Sequence, residues 1–308
     1  MTAALSKSRQ PNLRRNTLVS LATSARAIKA GIPEAAGSVA NGGAETGDHA
    51  QKAALIRSAF YESIGARAMR VPINCMDCFV LTGTPSAIRA LVEFRDDGLY
   101  EMTCPEGHRT FCTLQNFKHE VLFEIGVNAI YDGYYREAVT SFAASLERFY
   151  EFAVRLLCIH LGHDADRIAE AWKTVTKQSE RQLGAFIFVR LAVKGKAPNT
   201  LPDWAVTFRN KVVHQGYIPT RDEALRFGEV VRELIETEVE VYKDEYADAF
   251  STARFQFIKS ISASIPPGIR TSTIGMAFTI SASNGTRSKE PLEKRFEVIA
   301  RMRAVGLA

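Results

Sequence analysis

A stretch of about 130 residues with helical hydrophobic periodicity most constrains the fold of this chain. From Asn116 onward, apolar side chains recur at spacings of three or four, as on one face of an α-helix. The longest run predicts a helix of roughly seven turns, with Ala138, Phe142, Leu146, Phe149, Ala153, Leu156 and His160 on its apolar face. A shorter stripe precedes it at Val121, Leu122, Ile125 and Ala129. Because Asp132 and Gly133 form a turn signal between the two stripes, they predict an antiparallel helical hairpin.

Further helices are predicted at about residues 164–177 and 179–194. Another is predicted over Asp203–Gln215, ended by Gly216. Thr220 and Glu223 have the spacing of a capping box, so a long amphipathic helix should begin there. The chain is therefore expected to be mainly α.

The 308 residues suffice for about two ordinary domains with buried cores. Apolar residues make up 46% and charged residues 24%, which is typical of soluble globular proteins. The longest apolar run, residues 186–193, is far shorter than the roughly 20 residues that cross a bilayer, and it contains Arg190. We therefore expect no membrane span and a cytoplasmic location.

Positive charge is concentrated at the N-terminus. Residues 1–70 contain ten Lys/Arg and four Asp/Glu, whereas the remainder contains 29 and 30. This segment is also rich in Ala, Ser and Gly, so we predict a disordered basic leader. An organellar transit peptide, or a true start at Met69, are the alternatives. Nucleic-acid binding by residues 71–308 would have to depend on a local cluster of charge.

Four of the five cysteines lie between positions 75 and 112. Such clustering favours metal ligation in a reducing compartment over a disulfide framework. Cys75 and Cys78 form one ligand pair, and Cys104 and His108 form a second. Two short pairs separated by predicted strands are typical of a structural zinc site, so residues 71–115 are predicted to form a zinc ribbon.

Three alternatives to this zinc site stay open. Cys112 competes with His108 for the fourth position, although Pro105 and Gly107 favour a compact loop that ends at His108. The thiols could be unliganded. A catalytic zinc is disfavoured because four protein ligands leave no position for water. Within this region, residues 90–94 and 99–103 flank the turn-forming Asp96-Asp97-Gly98 and are predicted to pair as a hairpin.

A candidate catalytic motif lies in the helix predicted before Gly216. Arg209, Asn210 and His214 occur within one hexapeptide, and Asn210 and His214 share a helix face because they are one turn apart. Arg209 is displaced by ~140° from His214 at ~100° per residue. An imidazole can serve as general acid or base, and a guanidinium can bind phosphate oxygens. Glu147, beside the apolar stripe of the long helix, could orient His214 or Arg209, or be a solvated charge.

From Asn116 to Asp248 the chain resembles the HEPN (higher eukaryotes and prokaryotes nucleotide-binding) superfamily. The resemblance is carried by AIYDGYYREAV at 129–139, SLERF at 145–149 and FRNKVVHQG at 208–216. It implies a helical bundle over residues 116–248 that forms a homodimer. The paired motifs would cut RNA without metal through attack of the 2′-hydroxyl. It further implies a toxin or antiviral defence role with an antitoxin or regulatory partner.

Two other interpretations of the sequence stay open. The bundle could be a non-catalytic nucleotide-binding or dimerisation scaffold with a zinc-ribbon adaptor, since residues 71–308 carry almost no net charge. Alternatively, the ribbon and the basic leader could bind DNA in a transcriptional regulator. Residues 249–308 are predicted to be a small α/β extension, with a strand within 272–282 and a helix within 291–302.

Overall fold

The computed structural model describes residues 69–83, 89–281 and 290–304. Within these ranges the protein is mainly helical, as the hydrophobic periodicity predicts, with nine α-helices and two small β-sheets. The predicted disordered leader falls almost entirely on residues 1–68, which lie outside the described residues. Among the described residues, no helix is both long enough and apolar enough to span a membrane.

The helices are α1 (Met76–Thr82), α2 (Lys118–Tyr131), α3 (Tyr135–His160), α4 (Ala165–Val175), α5 (Ser179–Lys194), α6 (Asp203–Gln215), α7 (Arg221–Glu245), α8 (Ala247–Ser262) and α9 (Arg295–Ala304). Helix α3 is central and contacts α2 and α5 to α8. Its apolar stripe is buried as predicted from Ala138 to Leu156, whereas His160 is exposed. Thr220 and Glu223 form the predicted capping box of α7.

Helix α2 forms where it was predicted but buries a different face. Ile125, from the predicted apolar stripe, is exposed, whereas Phe123 and Val127 are fully buried. Two carboxylates, Glu120 and Glu124, are buried on the same helix. The predicted stripe is therefore wrong at Ile125, whereas Val121 and Ala129 pack half-buried against the apolar cores. Hydrogen bonds to Glu120 and Glu124 stabilise these two carboxylates in the interior.

Strands β1 (Arg70–Asn74) and β2 (Arg89–Glu93) pair antiparallel in one sheet. In the second sheet, β3 (Leu99–Thr103) pairs antiparallel with β4 (Arg109–Leu114), and β4 pairs parallel with β5 (Thr271–Ile274). The hairpin predicted between residues 90–94 and 99–103 is therefore wrong. Both segments are strands, and Gly98 N–H donates to the Arg95 carbonyl in the turn between them. The next turn, at residues 104–108, is the one that closes a hairpin.

The C-terminal segment lies along α2. Asn116 exchanges hydrogen bonds with the backbone of Met276, and Glu124 accepts from the backbone and hydroxyl of Thr279. Arg303 of α9 binds Asp132 at the end of α2. The predicted C-terminal strand is limited to β5, and the predicted final helix begins at Arg295.

Candidate functional site

The four predicted metal ligands lie in two tight turns. Cys75 is the N-cap of α1, directly after β1, and its thiol accepts from the Cys78 backbone N–H at 3.5 Å. The second turn joins β3 to β4, where Cys104 N–H donates to the His108 carbonyl at 3.0 Å. Gly107 has φ of 81° there, a conformation that side chains with a Cβ rarely adopt. Local backbone geometry therefore aims all four groups toward one point.

The donor atoms have the spacing of a tetrahedral metal site. The Sγ atoms of Cys78 and Cys104 lie 3.8 Å apart, and His108 Nδ1 lies 3.4 Å and 3.6 Å from them. Around zinc, with bonds of about 2.3 Å to sulfur and 2.0–2.1 Å to nitrogen, the tetrahedral edges would be about 3.8 Å and 3.5 Å. All four ligand atoms lie within 4.8 Å of one another. These residues could therefore hold a metal ion.

His108, and not Cys112, completes this cluster. Cys112 lies on β4 opposite Tyr100, and its thiol contacts Ser272 of β5. Burial raises the pKa of the Cys78 thiol to about 12, and the neighbouring thiols of Cys75 and Cys104 add to this effect. Burial also acts to raise the pKa of Cys104, but hydrogen bonds from the backbone of His108 and Glu106 lower it to about 7. A thiolate is thus favoured at Cys104 first.

The hexapeptide lies on α6, which Ala205 and Val212 anchor to the core. The guanidinium of Arg209 donates to Glu147 Oε1 of α3 at 2.8 Å and to Asn210 Oδ1 at 3.0 Å. Arg209 and Glu147 are partly shielded, with side chains 20% and 29% exposed. The structure therefore brings together Glu147, Arg209 and Asn210, three of the four predicted catalytic residues.

His214, the fourth, lies apart from them within one subunit. It is exposed in the last turn of α6, before the helix ends at Gly216 in a left-handed conformation. Among the described residues, no side chain forms a hydrogen bond or ion pair with its ring. An exposed imidazole one turn beyond Asn210 is free to meet a substrate or a second subunit.

A cleft of about 360 Å³ adjoins Arg209 and Asn210 between α3, α5 and α6, and is called the motif cleft below. Its lining includes three residues that sequence reasoning missed: Tyr150, Glu180 and Asp203. Tyr150 could have been found, because it lies three residues after Glu147 and so shares a face of α3. Glu180 and Asp203 could not, since only the packing of α5 and of α6 against α3 brings these two carboxylates to one cleft.

No protein-family model, curated protein or solved structure matches the chain. The HEPN resemblance therefore stays a prediction from the motif and its helical context.

Proposed function

We propose that the protein is a metal-independent endoribonuclease of the HEPN type. The observation that supports this proposal best is the grouping of Arg209, Asn210 and Glu147 beside a cleft, with His214 exposed one turn further along α6. A planar guanidinium suits the non-bridging oxygens of a phosphodiester. An exposed imidazole is suited to proton transfer near neutral pH.

In the proposed reaction, the RNA 2′-oxygen attacks the adjacent phosphorus, and the bond from phosphorus to the 5′-oxygen breaks. One His214 takes the proton of the 2′-hydroxyl. The second proton transfer, to the leaving 5′-oxygen, needs another acid, and His214 of a second subunit would supply it. A homodimer that joins the two α6 helices about a two-fold axis would place both imidazoles at one phosphate. Arg209 would balance the charge that develops on phosphorus-bound oxygens.

We further propose that the ion held by Cys75, Cys78, Cys104 and His108 is zinc, in a structural ribbon. Three thiols and one imidazole are soft or borderline donors, which suit zinc better than magnesium or calcium. Four protein ligands leave no open position, so this ion would stabilise the loops between β1 and β4. Described basic side chains nearby are paired with acids, as Arg109 is with Glu101 and Arg270 is with Asp77. This pairing favours a stabilising role over RNA binding.

Cleavage of a labelled RNA by the full-length, zinc-loaded protein tests the nuclease proposal. Buffer without added divalent ions is used, because a strong chelator would also remove the zinc. We expect wild type to cut and His214→Ala to lose about 10² to 10⁴ in rate. His163→Ala is the matched control, since that histidine is also exposed but lies in the loop between α3 and α4, outside the motif. Equal cutting by wild type and His214→Ala, or a requirement for added Mg²⁺, contradicts the proposal.

The second candidate is a non-catalytic nucleotide-binding or dimerisation scaffold. The ion pair between Arg209 and Glu147 favours it, because a neutralised guanidinium attracts phosphate less strongly. The motif cleft also contains the carboxylates of Glu180 and Asp203. A dimeric wild-type protein that leaves RNA intact would support this candidate over the nuclease.

A further inference from the structure

We propose that the motif cleft binds a guanine base, with the nucleotide's phosphate directed along α6 toward Arg209 and His214. The assignment of this base to an RNA substrate rests on the proposed nuclease function. Binding of guanine itself is a separate property of the cleft.

The size and walls of the cleft suit a flat, partly apolar ligand. Its volume of about 360 Å³ lies at the lower end of the range for small-molecule sites. Its apolar lining residues include Leu146, Leu183, Leu201 and Val206. Val206 is 41% exposed although it is apolar, so a ligand that covered it would remove apolar surface from water.

The charges of the cleft disfavour a charged group inside it. Glu180 and Asp203 form no ion pair or hydrogen bond through their carboxylates with other described residues, so both are available as acceptors. They would repel an anion placed between them, whereas Arg209 at the same cleft would repel a cation. A neutral group that is rich in hydrogen-bond donors satisfies both constraints. Amino-bearing nucleobases have this property.

Tyr150 gives independent evidence for a ligand in this cleft. Its side chain is 6% exposed and lines the cleft, yet its hydroxyl has no hydrogen-bond partner among the described residues. Burial raises the pKa of this phenol, and the charge of Glu147 adds to the effect, so the hydroxyl keeps its proton. A hydroxyl at the wall of a cleft that no protein group engages can donate a hydrogen bond to a bound molecule. A base atom in the cleft would supply that partner.

Among the four RNA bases, guanine fits these groups best. Its Watson–Crick edge presents an imino N–H and an amino N–H side by side, and a carboxylate can accept both in a bidentate pair. Adenine and cytosine each offer one amino group on that edge, and uracil offers a single imino N–H between two carbonyls. Asn210, which carries a donor and an acceptor, lies at the same cleft. The phosphate would lie beyond the carboxylates, toward Arg209 and His214 of α6.

Calorimetric titration of full-length, zinc-loaded His214→Ala protein tests the proposal, because this variant should bind without cutting. The titrants are GMP, AMP, CMP, UMP, guanosine and short RNAs that contain or lack one guanine. We expect guanine-containing ligands to bind at least about tenfold more tightly than the others. Binding of GMP alone would identify a free nucleotide as the source, and binding of the guanine-containing RNA would identify RNA. Both results support the guanine site, and absence of any guanine preference overturns it.

Three substitutions locate the binding. In the same background, Glu180→Gln and Asp203→Asn each remove one charge, and at least one should weaken GMP binding by about tenfold or more. Tyr150→Phe removes only the unpartnered hydroxyl, so it should weaken binding several-fold without destabilising the protein. Glu170→Gln on α4, which does not line the cleft, is the charge-matched control. Unchanged GMP affinity in all three cleft variants overturns the proposal. Binding of an arginine-rich peptide by a protein that does not bind GMP also overturns it.

These titrations, together with the RNA cleavage assay, separate this proposal from the nuclease function. Guanine binding that depends on Tyr150 without any RNA cleavage by wild type would remove the nuclease proposal and leave the guanine site. RNA cleavage that requires His214 but shows no guanine binding would do the reverse.

Discussion

The guanidinium of Arg295 donates two hydrogen bonds, of 3.0 Å and 2.8 Å, to Oε1 of Glu124. The Glu124 side chain is only 2% exposed, and its second oxygen accepts from Thr279. This contact attaches the start of α9 to the middle of α2, across 171 residues of chain. The C-terminal segment is thereby fixed to the bundle by buried polar groups as well as by apolar packing.

We predict that Glu124→Ala lowers the free energy of unfolding by about 3 kcal/mol or more, because it leaves the poorly exposed guanidinium of Arg295 without its carboxylate partner. Urea unfolding followed by circular dichroism measures this loss. Glu170→Ala removes an exposed partner of Lys173 and should cost less than about 1 kcal/mol. Similar losses in the two variants would show that the Glu124 contact is no stronger than a surface pair.

This contact also shows what the sequence could not reveal about α2. Periodicity correctly predicts where the helix lies, but apolarity alone selects the face that carries Ile125. The buried face includes Glu120 and Glu124, whose partners come from elsewhere, notably from residues 279 and 295. Helix boundaries follow from local capping and turn residues, whereas burial of a carboxylate depends on a distant donor. Single-sequence reasoning has no access to that donor.

For the candidate sites, the spacing of residues within one short turn of chain again predicts the structure reliably. The two ligand pairs around Cys75 and Cys104 were predictable because each lies within one short turn. The sequence alone leaves open whether Glu147 pairs with Arg209 or His214 or is solvated, since this depends on how α3 and α6 pack. The relation of His214 to the other three residues depends on a second subunit in the proposed dimer, which one sequence does not specify.

Cys78→Ser should abolish metal binding, because the Cys78 thiol is one vertex of the ligand tetrahedron. Its Sγ lies at metal-ligand spacing from both Cys104 Sγ and His108 Nδ1. We expect about one zinc per chain in wild type and none in the variant, with a lower melting temperature, since binding stabilises the folded form. Mass spectrometry of the metal content and a thermal scan measure both. Cys158→Ser, on α3 away from the cluster, should retain its zinc. Equal zinc content in the two variants would exclude the proposed ligand set.

His119 should make the protein sensitive to acid. Burial among aromatic rings lowers its pKa from 6.5 to about 3, so the folded protein keeps this imidazole neutral while the unfolded chain is protonated below about pH 6.5. Its contribution to stability is therefore complete above pH 6.5 and is lost as the pH falls toward 3. By pH 5 the loss should reach about 2 kcal/mol.

Urea unfolding at pH 7.5 and pH 5 checks this effect of His119. His119→Leu should show a smaller difference between the two pH values than wild type, because the titrating group is gone. His163→Ala, which removes an exposed histidine, should retain the wild-type difference. An unchanged pH dependence in His119→Leu would mean that this imidazole is protonated in the folded state.

The last prediction concerns the role of Glu147 in the proposed nuclease. Its carboxylate holds the Arg209 guanidinium at 2.8 Å, so we expect it to act by positioning Arg209 and not by contact with the substrate. Glu147→Ala should lower kcat by about ten- to a hundredfold, since a misplaced guanidinium stabilises the developing charge less well. Glu147→Gln should recover most of this loss, because an amide oxygen can accept the same hydrogen bond. A pH profile of kcat that stays unchanged in Glu147→Gln would support positioning, since the proton transfers are assigned to His214. If Glu147→Gln is as slow as Glu147→Ala and its profile loses one titration, the carboxylate itself takes part in proton transfer, and the positioning role is wrong.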